Sequence, residues 1–389
     1  MGSRVILSST SNRGRGRKVI LGGTSNIEFY PWGTERMYWL LEKGMMRTMG
    51  FELSPALDVG KLGLDSTPLP KDADIVYIHL TLHSYDIRGV VEHLKGCPNA
   101  TVIFIPGGDR RMWDLDRAGV GPFLERVSVI LDNQKNSWVG NNTFVQAWPK
   151  HAHKHIYFPN CIAPDSWCGW EYNEDPELKC ILSGRIGGRY ELRNFALTQM
   201  AKDAEFRSYV DFLGHPNGGQ FFKQIPPLKH HLKIGKKLSP VDAVALSGLQ
   251  AAEHLDMINE GSVVKEEYQA LLHKYLGGLA IVGNHLNQVV ISKHTEIPAI
   301  GSLMISERFK DLDLMGFIPE VHYAEVTREN LVSRVVDICR NPAEYSVIRK
   351  SGMEFVRKYH GLKSRLEFME KVVDNILAGK RIEEAEYGK

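Results

Sequence analysis

The chain has 389 residues, 43% of them hydrophobic and 24% charged, which is the composition of a folded globular protein long enough for two cores. Its formal net charge of +2 is not that of an obligate nucleic-acid binder, but it permits local basic patches that hold a diphosphate or track a polyanion. No apolar run approaches the roughly 18 residues that cross a bilayer, the N-terminus has no secretory pattern, and five cysteines without a CxxC spacing suggest neither a disulfide framework nor a zinc site; a cytoplasmic setting is expected, the host's if the chain is viral.

Residues 1–17 end in a Gly- and Arg-rich stretch and are expected to form an arm. A short apolar strand at 18–21 runs into Gly22, Gly23, Thr24 and Ser25, and a helix capped by Thr34 follows. Buried strands are predicted at 73–81, ending near His83 and Asp86, and at 100–106, ending in Gly107, Gly108, Asp109, Arg110 and Arg111. Helices are predicted at 87–94 and 123–131. Near-continuous apolar strands alternating with helices imply a parallel sheet covered on both faces. The alternation breaks at about 145–175, a stretch rich in Pro, Trp and His. It resumes with a strand at 178–183, a helix at 189–200, a strand at 206–213 and a loop-rich insertion at 214–245 with a basic run from Lys229 to Lys237. A helix at 266–275, a strand at 279–282, a helix at 291–300 and a strand at 302–306 follow. The tail is helical, and Leu362, Leu366, Met369, Val373 and Leu377 form one apolar stripe.

The expected architecture is α/β, two Rossmann-like doubly wound domains with a C-terminal helix crossing back to the first. The divisions expected are an arm at 1–17, a first domain at 18–160, a linker at 161–175, a second domain at 176–350 and crossing helices at 351–389.

Ligands of open parallel sheets bind beyond the carboxyl ends of the strands, so the residues there are the candidates. After the strand at 178–183 come Gly184, Arg185, Gly187, Gly188 and Arg189, with Arg193 one turn further on. Small residues and arginines at a helix start suit an anion, and such arginines can clamp a diphosphate. The alternative is that Arg189 and Arg193 pair with Glu191 or other surface carboxylates. Ser292, Lys293 and Glu296 form the second constellation. A carboxylate in a short apolar helix needs a partner, and the two hydroxyls of a ribose suit it; Ser292 and Lys293 could meet phosphate. Glu296 could instead cap or pair locally. On the other half, Asp109 and His83 are candidate general bases, with Gly23, Thr24, Arg110 and Arg111 beside the acceptor; Asp109 could equally pair with Arg110 or Arg111. Asp311 and Asp313 match a DxD metal motif in letters but lie in a charged, surface-like stretch, so no metal is implied.

Gly184-Arg185, Arg193, the run Glu296-Ile297-Pro298-Ala299-Ile300-Gly301, Tyr323, Gly352, Tyr359-His360 and Arg365 resemble the donor domain of GT-B glycosyltransferases, in particular the CgeB-like members of glycosyl transferase group 1. The resemblance covers about residues 175–378 and reaches the first half only through its β/α pattern. It implies sugar transfer from a nucleotide-sugar co-substrate, with no tightly bound cofactor. Retaining members carry a second Glu eight residues before the ribose Glu; Gln288 stands there, which leaves the stereochemical outcome open. The acceptor is open as well. Nucleic acid, such as a modified base in phage DNA, is one candidate, on the strength of the arm, Arg110-Arg111 and the Lys229–Lys237 run. The alternatives are a nucleotide-sugar epimerase and a non-enzymatic nucleotide-binding protein.

Overall fold

The computed structural model describes residues 18–23, 52–58, 75–80, 87–106, 119–133, 135–136, 143–159, 161–162, 168–184, 190–214, 265–282 and 290–382. The chain divides into two compact units, residues 1–163 with 361–386 and residues 164–360 with 387–389.

In the first unit, strands β1 (Lys18–Gly23), β2 (Glu52–Asp58), β3 (Ile75–Leu80), β4 (Thr101–Pro106), β5 (Val129–Asp132) and β6 (His155–Tyr157) form one sheet in the order β2-β1-β3-β4-β5-β6. Every pairing in it is parallel. Alternate residues of a strand face opposite sides, and here both sides are buried. Val76, Ile78, Val102, Phe104 and Ile130 pack under the helices Ile87–Leu94 and Val120–Arg126. Ile75, Tyr77, Ile103, Ile105, Val129 and Leu131 face the other way, where the C-terminal helix Leu362–Leu377 covers them with Leu366, Phe368, Met369, Val372 and Val373. Each such side chain contributes about 1.5–3 kcal/mol on burial, so this helix is an integral layer of the first unit. Its return is fixed by a parallel bridge between Ile162 and Gly361 and by buried Arg365, whose Nε donates to the Pro159 carbonyl at 2.7 Å.

The expected helix at 123–131 is a helix Val120–Arg126 followed by β5. Val127 adopts extended backbone and ends the helix, and the β-branched run after it is buried on both faces as a central strand requires. The irregular stretch after 145 also conceals order: a helix Phe144–Ala147 with a Thr143–Gln146 capping box, then β6. In this core His155 Nε2 lies 3.0 Å from Asp132 Oδ2, and its ring stacks on Phe144.

The second unit carries β7 (Glu177–Gly184), β8 (Val210–Gly214), β9 (Tyr275–Leu279), β10 (Leu303–Ser306) and β11 (Ala324–Glu325) in the order β11-β10-β9-β7-β8, all parallel. The strand expected at 206–213 begins as a helix, Ala204–Tyr209, because Asp203 caps it by accepting from the Phe206 N–H at 2.9 Å. The strand expected at 279–282 is shifted to Tyr275–Leu279, directly after the helix Lys265–Lys274. Gly277 and Gly278 make this possible: a Cβ on either would lie 2.9 Å from Leu303 O or Ile297 Cδ1. Asp311, expected at a surface, is buried on the helix Lys310–Leu314. Cys180 and Cys339 lie in one core with their sulfurs 3.8 Å apart. Among the described residues, no helix is long and apolar enough to cross a membrane. The Thr34 helix, the arm and the insertion at 214–245 lie outside the described residues, except Gly214.

Candidate functional site

Strand order locates the crevice of the second unit. The chain passes from β7 outward to β8, then returns to place β9 on the other side of β7. This is a topological switch point, and the carboxyl ends of β7 and β9 flank the place where such sheets bind ligands.

Gly184 ends β7 with φ +114°, a left-handed conformation that favours glycine. The point a Cβ would occupy there lies 3.0 Å from Arg193 Nη1 and 3.4 Å from Lys293 Nζ. Two cationic tips from two different helices thus converge beside the end of one strand. Arg193 lies on the helix Glu191–Lys202 and is only 2% exposed. Its guanidinium stacks over the Tyr190 ring at 4.4 Å, and Nη2 donates to the Ile281 carbonyl just beyond β9 at 3.0 Å. Glu307, at the end of β10, acts on it electrostatically and accepts the Val282 N–H at 2.8 Å. Burial lowers the affinity of Arg193 for its proton, yet a guanidinium stays charged in proteins.

Lys293 opens the helix Lys293–Ala299 and is half-buried. Burial, then the neighbouring Arg193 charge, pushes its ammonium down to about 8, with Glu296 opposing the shift. Next to it, burial pushes His294 down to about 4, so the ring is neutral at pH 7; it lies 3.2 Å from Ser306 Oγ and anchors the helix to the end of β10. The other end of this helix is held by two arginines of the helix Ser346–Tyr359. Arg349 donates to the Gly301 carbonyl at 2.9 Å and Arg357 to the Ala299 carbonyl at 2.9 Å, which satisfies carbonyls that a helix end leaves without partners. Glu296, half-buried, follows Lys293 by three residues, a spacing that puts both on one helix face.

Of the residues expected from sequence, the structure brings Gly184, Arg193 and Lys293 together, with Glu296 on the same short helix as Lys293. Ser292 precedes that helix, and its carbonyl accepts the Glu296 N–H at 2.9 Å; no side-chain cap comes from it. Gly23 ends β1, next to β3 at the switch point of the first sheet. Arg185, Arg189, Thr24, His83, Asp86, Asp109, Arg110, Arg111 and Gln288 lie outside the described residues. Sequence reading missed Tyr268 and Glu307. Ser183 Oγ and Tyr268 OH are 3.1 Å apart, and nothing in the helix around Tyr268 marks it, because its partners arrive from β7 and from the Glu296 helix.

Two like charges in this position store repulsion that an anion between them relieves. A diphosphate placed between them would hold the Lys293 proton, so its affinity is expected to be highest below pH 8 and to fall as pH rises through about 8. Calorimetric titration with a nucleoside diphosphate from pH 6.5 to 9.5 is expected to show that fall in the native chain and a flat profile in Lys293→Arg. Equal slopes in both chains would remove Lys293 from the site.

No family model matches the chain, and no curated protein matches it. Solved structures do. A sucrose-phosphate synthase from Thermosynechococcus elongatus superposes with a TM-score of 0.60 at 12% identity, covering 94% of this chain and 100% of that one. An alpha-glucosyltransferase in complex with UDP-glucose and DNA containing an abasic site gives 0.59 at 12% identity, with 92% and 99% covered. HepE of Anabaena in complex with UDP and glucose gives 0.55 at 8% identity, with 92% and 100% covered. With two parallel-sheet units and a last helix that rejoins the first, the chain has the GT-B fold.

Proposed function

We propose that the protein is a nucleotide-sugar-dependent glycosyltransferase of the CgeB-like kind. The observation that carries this reading is the convergence of Arg193 and Lys293 on Gly184 at the switch point of the second sheet. In this reading Arg193, Lys293 and the backbone at Gly184 hold the diphosphate, Arg185, Arg189 and Ser292 are further candidates for it from the sequence, and Glu296 accepts hydrogen bonds from the ribose hydroxyls. Preorganised cations stabilise the negative charge that develops on a departing nucleoside diphosphate, so the chemistry calls for no tightly bound cofactor and implies no metal. The acceptor side is assigned to the first unit, with Gly23, Thr24, Arg110 and Arg111 as its candidate residues and Asp109 or His83 as the candidate base if the reaction inverts. Two similar structures were solved with UDP or UDP-glucose, which makes uracil the first base to try. One of them also holds DNA, and with the basic arm this supports DNA as an acceptor to test.

The experiment is incubation with UDP-sugars, with and without single- and double-stranded DNA, followed by mass spectrometry of nucleotides and acceptor. Free UDP with a sugar-sized mass gain on an acceptor is the expected result. A changed sugar still joined to UDP would make the protein an epimerase, and binding without turnover of any donor would leave a nucleotide-binding protein.

A further inference from the structure

We propose that Tyr268 is a specificity-determining residue of this site, a phenol that donates to a ribose hydroxyl beside Glu296 and so favours ribonucleotides over their deoxy forms. The inference rests on the nucleotide-sugar reading above and adds to it a contact between sugar ring and protein. Tyr268 comes from the helix Lys265–Lys274, an element separate from those that carry the cations. Its hydroxyl lies 3.1 Å from the Oγ of buried Ser183, the residue before Gly184, so it stands at the end of β7. It lies within electrostatic reach of both the Glu296 carboxylate and the Arg193 guanidinium. The phenol therefore stands among the groups assigned to diphosphate and ribose.

Its state suits a donor. Burial, then the Glu296 charge, pushes the phenol well above its ordinary range, with the Ser183 hydrogen bond and Arg193 opposing, so the proton stays on. A carboxylate only accepts, a ribose hydroxyl both donates and accepts, and a protonated phenol donates. A hydroxyl that donates to Glu296 and accepts from Tyr268 satisfies all three groups. A nucleotide lacking that hydroxyl forfeits the hydrogen bonds to both groups and binds more weakly for it.

The test measures affinities of UDP, 2′-deoxy-UDP, 3′-deoxy-UDP and inorganic pyrophosphate for the native full-length chain and for Tyr268→Phe, with a melting curve for each chain. The native chain is expected to prefer UDP over one of the deoxy forms on the order of tenfold. Tyr268→Phe should bring that ratio close to one while leaving pyrophosphate affinity unchanged. Ratios unchanged in the variant, or an equal loss for all four ligands, would overturn the role and leave Tyr268 a structural residue. Tyr268→Met, an adaptable apolar side chain with no donor, serves in the same comparison if the Phe variant does not melt cooperatively. Failure of the native chain to bind any of the four would instead overturn the nucleotide-sugar reading, and this inference with it.

Discussion

Arg193→Ala is expected to bind a nucleoside diphosphate roughly 10- to 100-fold more weakly at pH 7, since a hydrogen bond to a charged partner is worth about 1.5–3 kcal/mol and each 1.4 kcal/mol is a factor of ten. Lys293 does not make up the loss. Its ammonium is already charged at pH 7, and removing the neighbouring cation only moves its pKa back up from about 8. The substitution also acts on folding. Arg193 is buried and donates to Ile281 O, so truncation leaves that carbonyl without this donor, at a cost of about 1–3 kcal/mol. Urea denaturation measures the second effect and calorimetry the first. Arg193→Lys should recover part of the affinity, because the charge returns without the planar fork. A folded Arg193→Ala chain with native affinity would remove the arginine from the diphosphate site.

Gly352→Ala is expected to destabilise the second unit more than any other glycine-to-alanine change at a glycine of ordinary φ on a described helix. Gly352 lies in the helix Ser346–Tyr359, and a Cβ there would stand 2.4 Å from the backbone oxygen of His322. That segment cannot easily yield, because the His322 ring stacks on Phe355 at 4.1 Å and Phe317 packs on Phe355 and His360. Overpacking of this kind costs about 1–3 kcal/mol or more, against a helix-propensity gain of at most about 1 kcal/mol. Gly121 is the control: it also lies in a helix, but its Cβ would meet only Trp148 Cζ3, at 3.9 Å, so the same substitution should be neutral or mildly stabilising. The pair of urea midpoints decides the matter, and equal shifts would show that His322 moves aside.

The β/α rhythm was legible in the sequence wherever strands are buried on both faces. Residues 75–80 and 101–106 read as near-continuous apolar runs, and the stripe from Leu362 to Leu377 announced an amphipathic helix whose apolar face had to be buried. The strand Val129–Asp132 was hidden because three apolar residues after a helix fit either period, and only the parallel pairing of β4 with β5 distinguishes them. Strand β9 was misplaced because its two glycines look like a turn, whereas they are what close packing against Leu303 and Ile297 demands. The site divides in the same way. Gly184, Arg193, Lys293 and Glu296 were readable as candidates because they follow strands or place a charge in a short helix beside one. That Arg193 and Lys293 meet, and that Tyr268 joins Ser183, are facts of strand order. They depend on β9 lying beside β7, a pairing across nearly a hundred positions of sequence, for which periodicity offers no signal.

A diphosphate site at the switch point of the second sheet should distinguish nucleotides by their phosphates. Calorimetric titration of the full chain at pH 7 with uridine, UMP, UDP and UDP-glucose measures this. Affinity is expected to rise steeply from UMP to UDP, a step lost in Arg193→Ala and reduced in Lys293→Ala. Equal affinity for UMP and UDP, or a UDP gain that survives both substitutions, would contradict it.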